Sequence, residues 1–203
     1  MSTNVRVVKG KVVVEDSFTE AEHQLLAGRH RSRTELELWR TRHSSLVFLR
    51  DLPALESLSL INVRVDDARA LAEVGTLRRL FLNGIKPTPG WDFLAGLAQI
   101  EELQILNVRG PLVLPDLSGL DRLATFRIWG CRGLTDVSVL ENTPLLEEVE
   151  LVDAGLTPDD LGSLLEKSTL AYLSCTFATR RDTDRFHQDL DRYGKKEHGD
   201  TAP

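Results

Sequence analysis

An apolar residue, usually leucine, fills the first, fourth and sixth places of a six-residue unit that returns down the chain. The unit is clearest at Leu55–Leu60. It recurs at Leu77–Leu82, Ile100–Ile105, Leu123–Ile128, Leu146–Leu151 and Leu170–Cys175, at intervals of 22, 23, 23, 23 and 24 residues. A further step of 22 back from Leu58 reaches Leu36 in Glu35-Leu36-Glu37-Leu38, a seventh copy without its first leucine. Self-similarity at this period predicts a stack of like units, none of which can bury its apolar side alone. Within each copy the last two apolar positions alternate with polar or large residues, so each copy predicts a short strand with those two side chains turned inward.

This unit, held at 22 to 24 residues, resembles the leucine-rich repeat family in its short, irregular bacterial form. The resemblance implies a curved α/β solenoid. A concave parallel β-sheet takes one strand from each of about seven repeats, short helical or 3₁₀ returns line the convex side, and both ends are capped. It also implies protein binding on the concave face. One departure stands out. The family usually follows the strand with an asparagine whose side chain bonds the turn backbone of neighbouring repeats, whereas this column reads Val63, Ile85, Val108, Cys131, Ala154 and Ala178. Asn62, Asn83 and Asn107 lie beside it and are expected to substitute locally.

The chain divides into four parts. Residues 1–31 form an N-terminal cap: valine-rich runs at 5–8 and 12–15 around Lys9-Gly10 predict a strand pair. A helix follows to about Leu26, stopped by Gly28, with Ser17/Glu20 or Thr19/Glu22 as its capping box. Residues 32–178 are the repeats. Their returns predict short helices over Asp66–Gly75 and Thr157–Lys167, and no more than a 3₁₀ turn or two over Pro115–Leu120 and Asp136–Leu140. Residues 179–194 form a capping helix, with Asp182 as N-cap, Phe186, Leu190 and Tyr193 on one face and Gly194 past its end. Residues 195–203 are polar and expected to be a disordered tail.

Composition narrows the function. The 203 residues are 41% hydrophobic and 28% charged, ordinary for a globular chain. A net charge of −6 gives no case for binding nucleic acid or an anionic membrane, which calls for clustered Lys and Arg. No stretch approaches the ~18 apolar residues of a membrane span, and the N-terminus has no secretory apolar core, so the expected compartment is the cytoplasm. Arginine outnumbers lysine 19 to 6, the balance of a GC-rich bacterial coding sequence. Cys131 and Cys175 fall two repeats apart at interior positions, where they serve as small hydrophobes.

Catalytic signatures are missing. His23, His30, His43, His187 and His198 are scattered, with no H-E-x-x-H, C-x-x-C or glycine-rich phosphate loop. No cofactor or metal is expected, and an enzyme is the least favoured class. What remains is the outward face of the strands. Trp39, Ile61, Leu106, Trp129 and Val152 fill the strand-end column, Phe81, Gln104, Arg127 and Glu150 the middle one, and Arg79 the first. Apolar side chains this numerous on one face mark a binding surface, and Trp and Arg are common anchors; mutual shielding at the strand ends is the competing reading. Glu35 and Glu37 at one end and Glu148, Glu150 and Asp153 at the other suit a partner with basic patches. The expectation is a non-catalytic, monomeric recognition module, such as an immunity protein, inhibitor or adaptor. The alternative is a structural component that self-assembles through the apolar stripe.

Overall fold

Stacked repeats bury their leucines only if each strand takes the same register as the last. The computed structural model describes residues 4–85 and 90–197; His198 and the remainder of the expected tail lie outside the described residues. Nine strands among them form one sheet in chain order: β1 (Val5–Val8), β2 (Lys11–Glu15), β3 (Glu35–Trp39), β4 (Ser57–Ile61), β5 (Arg79–Asn83), β6 (Glu102–Leu106), β7 (Thr125–Trp129), β8 (Glu148–Val152) and β9 (Tyr172–Cys175). β1 and β2 are antiparallel, and every later pair is parallel. Val12, Leu36, Leu58, Leu80, Leu103, Phe126, Val149 and Leu173 stand in one row across the parallel strands. Val14, Leu38, Leu60, Leu82, Ile105, Ile128, Leu151 and Cys175 make a second. All are buried, each large side chain contributing about 1.5–3 kcal/mol.

The returns follow a different period. Buried residues recur at every third place: Leu46, Leu49, Leu52, Leu55; Ala68, Leu71, Val74, Leu77; Trp91, Leu94, Leu97, Ile100. The N–H of each later member donates to the carbonyl of the one before it. That is 3₁₀ bonding, in which side chains at i and i+3 eclipse, so a whole row faces the back of the sheet. The resulting 3₁₀ turns span Val47–Asp51, Arg69–Glu73, Asp92–Gly96 and Ser138–Asn142. The short helix expected over Asp66–Gly75 is therefore a 3₁₀ turn, and it has no side-chain cap. Over Thr157–Lys167 a 3₁₀ turn, Pro158–Leu161, leads into one turn of α-helix, Gly162–Glu166. Asp160 accepts the Thr157 N–H at 2.8 Å to cap it.

Each strand from β3 to β8 is followed by a residue with left-handed backbone, Arg40, Asn62, Gly84, Asn107, Gly130 and Asp153, as is β2 by Asp16 in the cap. The turn amide at each site donates across to the strand-end carbonyl of the following unit. Asp16 bonds to Trp39, Arg40 to Ile61, Asn62 to Asn83, Gly84 to Leu106, Asn107 to Trp129 and Gly130 to Val152. Asp153 donates instead to the hydroxyl of Thr176, just past the end of β9, at 2.8 Å. Asn107 Nδ2 also donates to Asn83 Oδ1 at 2.9 Å, a bond between side chains and not the bond to turn backbone expected of these asparagines. The residues one place later, Val63, Ile85, Val108 and Cys131, are buried.

The caps close the stack differently. β2 pairs with β3 in parallel and continues both buried rows, so the N-terminal hairpin extends the sheet itself. Helix α1 (Glu20–Arg29) uses the Thr19/Glu22 capping box and runs past Gly28 to a C-cap at His30. Gly28 costs a helix only about 1 kcal/mol, and Leu26 is buried, so tertiary packing overrides the expected stop. At the other end the helix Arg180–Tyr193 is capped by Thr179, not Asp182, whose N–H donates to the Thr179 hydroxyl. Phe186 and Leu190 are buried while Tyr193 lies at the exposed edge. Ordered structure continues past the boundary expected at residue 195. Lys196 bridges to Tyr172 in parallel, and Lys195 Nζ donates to the carbonyls of Lys167 and Leu170 at 2.5 and 2.7 Å.

Candidate functional site: the concave face

Residues that alternate with the buried rows must point from the opposite side of the sheet. From β3 to β8 the first outward column is Glu35, Ser57, Arg79, Glu102, Thr125 and Glu148. The middle column is Glu37, Ser59, Phe81, Gln104, Arg127 and Glu150, and the strand-end column is Trp39, Ile61, Asn83, Leu106, Trp129 and Val152. The ten residues singled out as partner-binding candidates all stand on this face. Trp129 is 43% exposed, whereas Trp39, Ile61, Phe81, Leu106 and Val152 are half-buried against their neighbours. Trp129 is thus the open point of the stripe, and its other apolar members are shielded by their neighbours.

The charges are arranged less simply than their columns imply. Arg127 Nη1 donates to Glu102 at 2.7 Å and Nη2 to Glu148 at 2.7 Å, with Glu150 at 3.6 Å from Nε. Burial opposes the charged guanidinium, but Glu148, Glu102 and Glu150 outweigh it and raise the Arg127 pKa. Gln104 Nε2 donates to the same Glu102 oxygen at 2.5 Å. Arg127 is therefore the brace of a half-buried carboxylate cluster, not an open anchor. At the N-terminal end Lys11, carried into the face by β2, bonds Glu37 at 2.9 Å and lies 3.8 Å from Glu35. Trp39 Nε1 donates to Glu37 at 3.2 Å. The hydrogen bond to Glu37 raises the Lys11 pKa, while Arg79 opposes it.

Arg79 is the exception. It is exposed, stands beside Glu102 in register, and has no carboxylate within ion-pairing distance among the described residues. With Ser57, Phe81, Glu102 and Gln104 it lines a recess of about 100 Å³. The strand-end column opens onto a wider, shallow depression of about 840 Å³ between the turns, where Asn62, Asn83, Asn107 and Arg109 present polar groups.

Elsewhere among the described residues the histidines and cysteines lie apart. His23 meets Asp51 at 2.8 Å in the cap, and His187 meets Glu197 at 3.5 Å at the far end. His43 is buried against Phe18 and Phe48, bonded to Thr41 at 2.9 Å, and burial pushes its pKa down to about 4. Burial pushes the Cys175 thiol up to about 12 and raises that of Cys131, so neither is poised as a thiolate. Among the described residues no group of three or more His, Cys, Asp or Glu is placed to hold a metal ion, and no helix is long and apolar enough to cross a membrane.

Solved structures share this architecture. Internalin C2 of Listeria monocytogenes superimposes with a TM-score of 0.60 at 27% identity, over 80% of this chain and 69% of its own. The fold is that of a leucine-rich repeat protein. Internalin F of the same organism matches with a TM-score of 0.59 at 17% identity, over 88% of this chain, which spans 58% of the internalin F structure. No protein-family model and no curated protein matches the sequence. Two contributors to the repeat face escaped the sequence reading. Lys11 and Glu15 join it only because the cap hairpin docks in parallel on the first repeat, and no periodicity in residues 1–31 signals that docking.

Proposed function

We propose that this protein is a non-catalytic recognition module that binds a partner protein on its concave face. The observation that carries the reading is the apolar strip Phe81, Leu106 and Trp129 on a sheet whose surrounding charges, Arg79 apart, are held in cross-strand pairs. A surface of this kind offers about 800 Å² without reorganisation, the usual share of one side of a specific complex. Burial of both cysteines and dispersal of the histidines favour binding over chemistry. The narrower role is that of an immunity protein, inhibitor or adaptor, acting in the cytoplasm as a monomer on a partner with basic patches and not on nucleic acid or membrane. The net charge of −6 supports that choice of partner.

The test is capture from a host lysate by wild type and by a Phe81→Ala, Trp129→Ala double variant with an unchanged circular dichroism spectrum. Arg127 is left intact, because removing it would unbalance three glutamates. Specific capture lost in the variant supports the concave face; equal capture by both places binding on the returns or caps. Sedimentation of the purified protein addresses self-assembly, which predicts a dimer or larger species that Trp129→Ala dissolves.

A further inference from the structure

The fixed charges of the concave face alternate along the arc. Lys11 set against Glu35 and Glu37 leaves an excess negative charge at the N-terminal end. Arg127 set against Glu102, Glu148 and Glu150 leaves a larger one towards the C-terminal end. Between them stands Arg79. Glu102, its neighbour in register, turns away to Arg127 and Gln104. On the other side of Arg79 the strand β4 presents only Ser57 and Ser59, the smallest residues of their columns between Glu35/Glu37 and Arg79/Phe81. The recess lined by Arg79, Ser57 and the Phe81 ring, with Glu102 on its far side held by Arg127 and Gln104, has the donors and the room for a carboxylate.

We infer that the occupant of the concave face is an extended segment of a partner protein that places an acidic side chain on Arg79 in the recess beside Ser57 and an apolar side chain on Trp129. This rests on the concave-face reading and deepens it: the partner complements the arc with an acidic group at its middle as well as basic groups beyond it. Arg79 opens its strand and Trp129 closes its own, two strands across and four residues along, about 16 Å at the usual spacings, which an extended chain crosses in about five residues. The recognised segment therefore carries Asp or Glu about five residues from an aromatic or aliphatic residue.

The probe is a random-peptide phage library, selected against the full-length wild type, Arg79→Glu and Trp129→Ala. Arg79 makes no ion pair among the described residues, and thermal melts confirm that the variants fold. The expected result is enrichment of an acidic residue about five places from an apolar one. Arg79→Glu should weaken the selected peptides by roughly tenfold and select Lys or Arg at that place instead. Peptides that lose affinity with Trp129→Ala but not with Arg79→Glu overturn the acidic anchor and leave the concave reading standing. Peptides indifferent to both substitutions overturn that reading as well. A library that yields no enriched sequence overturns the extended occupant.

Discussion

Arg127 and Arg79 project from the same sheet two strands apart. Around Arg127, three glutamates on the strands to either side converge within 3.6 Å, and its side chain is 22% exposed. Around Arg79 the adjacent strand offers serines and the one neighbouring glutamate is already engaged. The C-terminal half of the face is thus cross-braced by charge, while the N-terminal half leaves a cation to solvent. The difference teaches that on a parallel sheet the column says which way a side chain points, but the adjacent strands decide whether it stabilises the fold or remains available to a partner.

That contrast can be pressed hardest with acid, which should act on the N-terminal half. His43 is neutral in the folded protein down to about pH 4, whereas in the unfolded chain it titrates near 6.5. Above 6.5 it is neutral in both states and contributes no pH dependence. Between 6.5 and about 4 only the unfolded chain takes up the proton, so stability falls; below 4 both states hold it and the fall stops. The loss should approach, at most, about 3 kcal/mol. Urea midpoints across this range should drop for wild type and flatten for His43→Gln, and hydrogen exchange should show β2 and β3 opening before β8.

The braced half should respond most to loss of its brace. Arg127→Ala leaves three partly buried carboxylates together and should cost about 2 kcal/mol in chemical denaturation, a deficit that shrinks in about 1 M salt as repulsion is screened. The turn ladder gives a charge-independent control within the open half. Gly84 has a φ of 64°, and a methyl group there would approach Asn62 Oδ1 to within 2.4 Å. Gly84→Ala should therefore cost about 1–2 kcal/mol with no salt dependence. Arg79→Ala should change the denaturation midpoint least, by about 0.5 kcal/mol or less. A large effect there would mean that Arg79 belongs to the scaffold, and the contrast between the two arginines would collapse.

Much of this was legible in the chain. The period-two alternation in LESLSL and its copies assigns Leu58 and Leu60 to the interior and Ser57, Ser59 and Ile61 to the face, because a strand leaves no other choice. The returns were misread where Asp66 and Gly75 look like helix ends. The decisive signal was the apolar series Leu46, Leu49, Leu52 and Leu55, whose period of three excludes an α-helix with one buried stripe. The carboxylate cluster was invisible for another reason. Glu102 and Glu148 lie 25 and 21 residues from Arg127, and both reach it, although Glu102 is the direct register partner of Arg79 and stands only diagonally to Arg127. Which guanidinium a glutamate chooses depends on side-chain reach and on its other neighbours, and neither is a property of the column.

The turn ladder has a counterpart that ties each unit in both directions. In every rung from Asp16 to Gly130 the donor belongs to the earlier unit and the acceptor to the later one. At the strand starts the sense reverses: the amides of Ser57, Arg79, Glu102, Thr125 and Glu148 donate back to the carbonyls of Thr34, Glu56, Arg78, Glu101 and Ala124. An interior repeat therefore cannot be cut out without orphaning amides on one neighbour and carbonyls on the other, and the cost of a deletion falls on both sides of the gap.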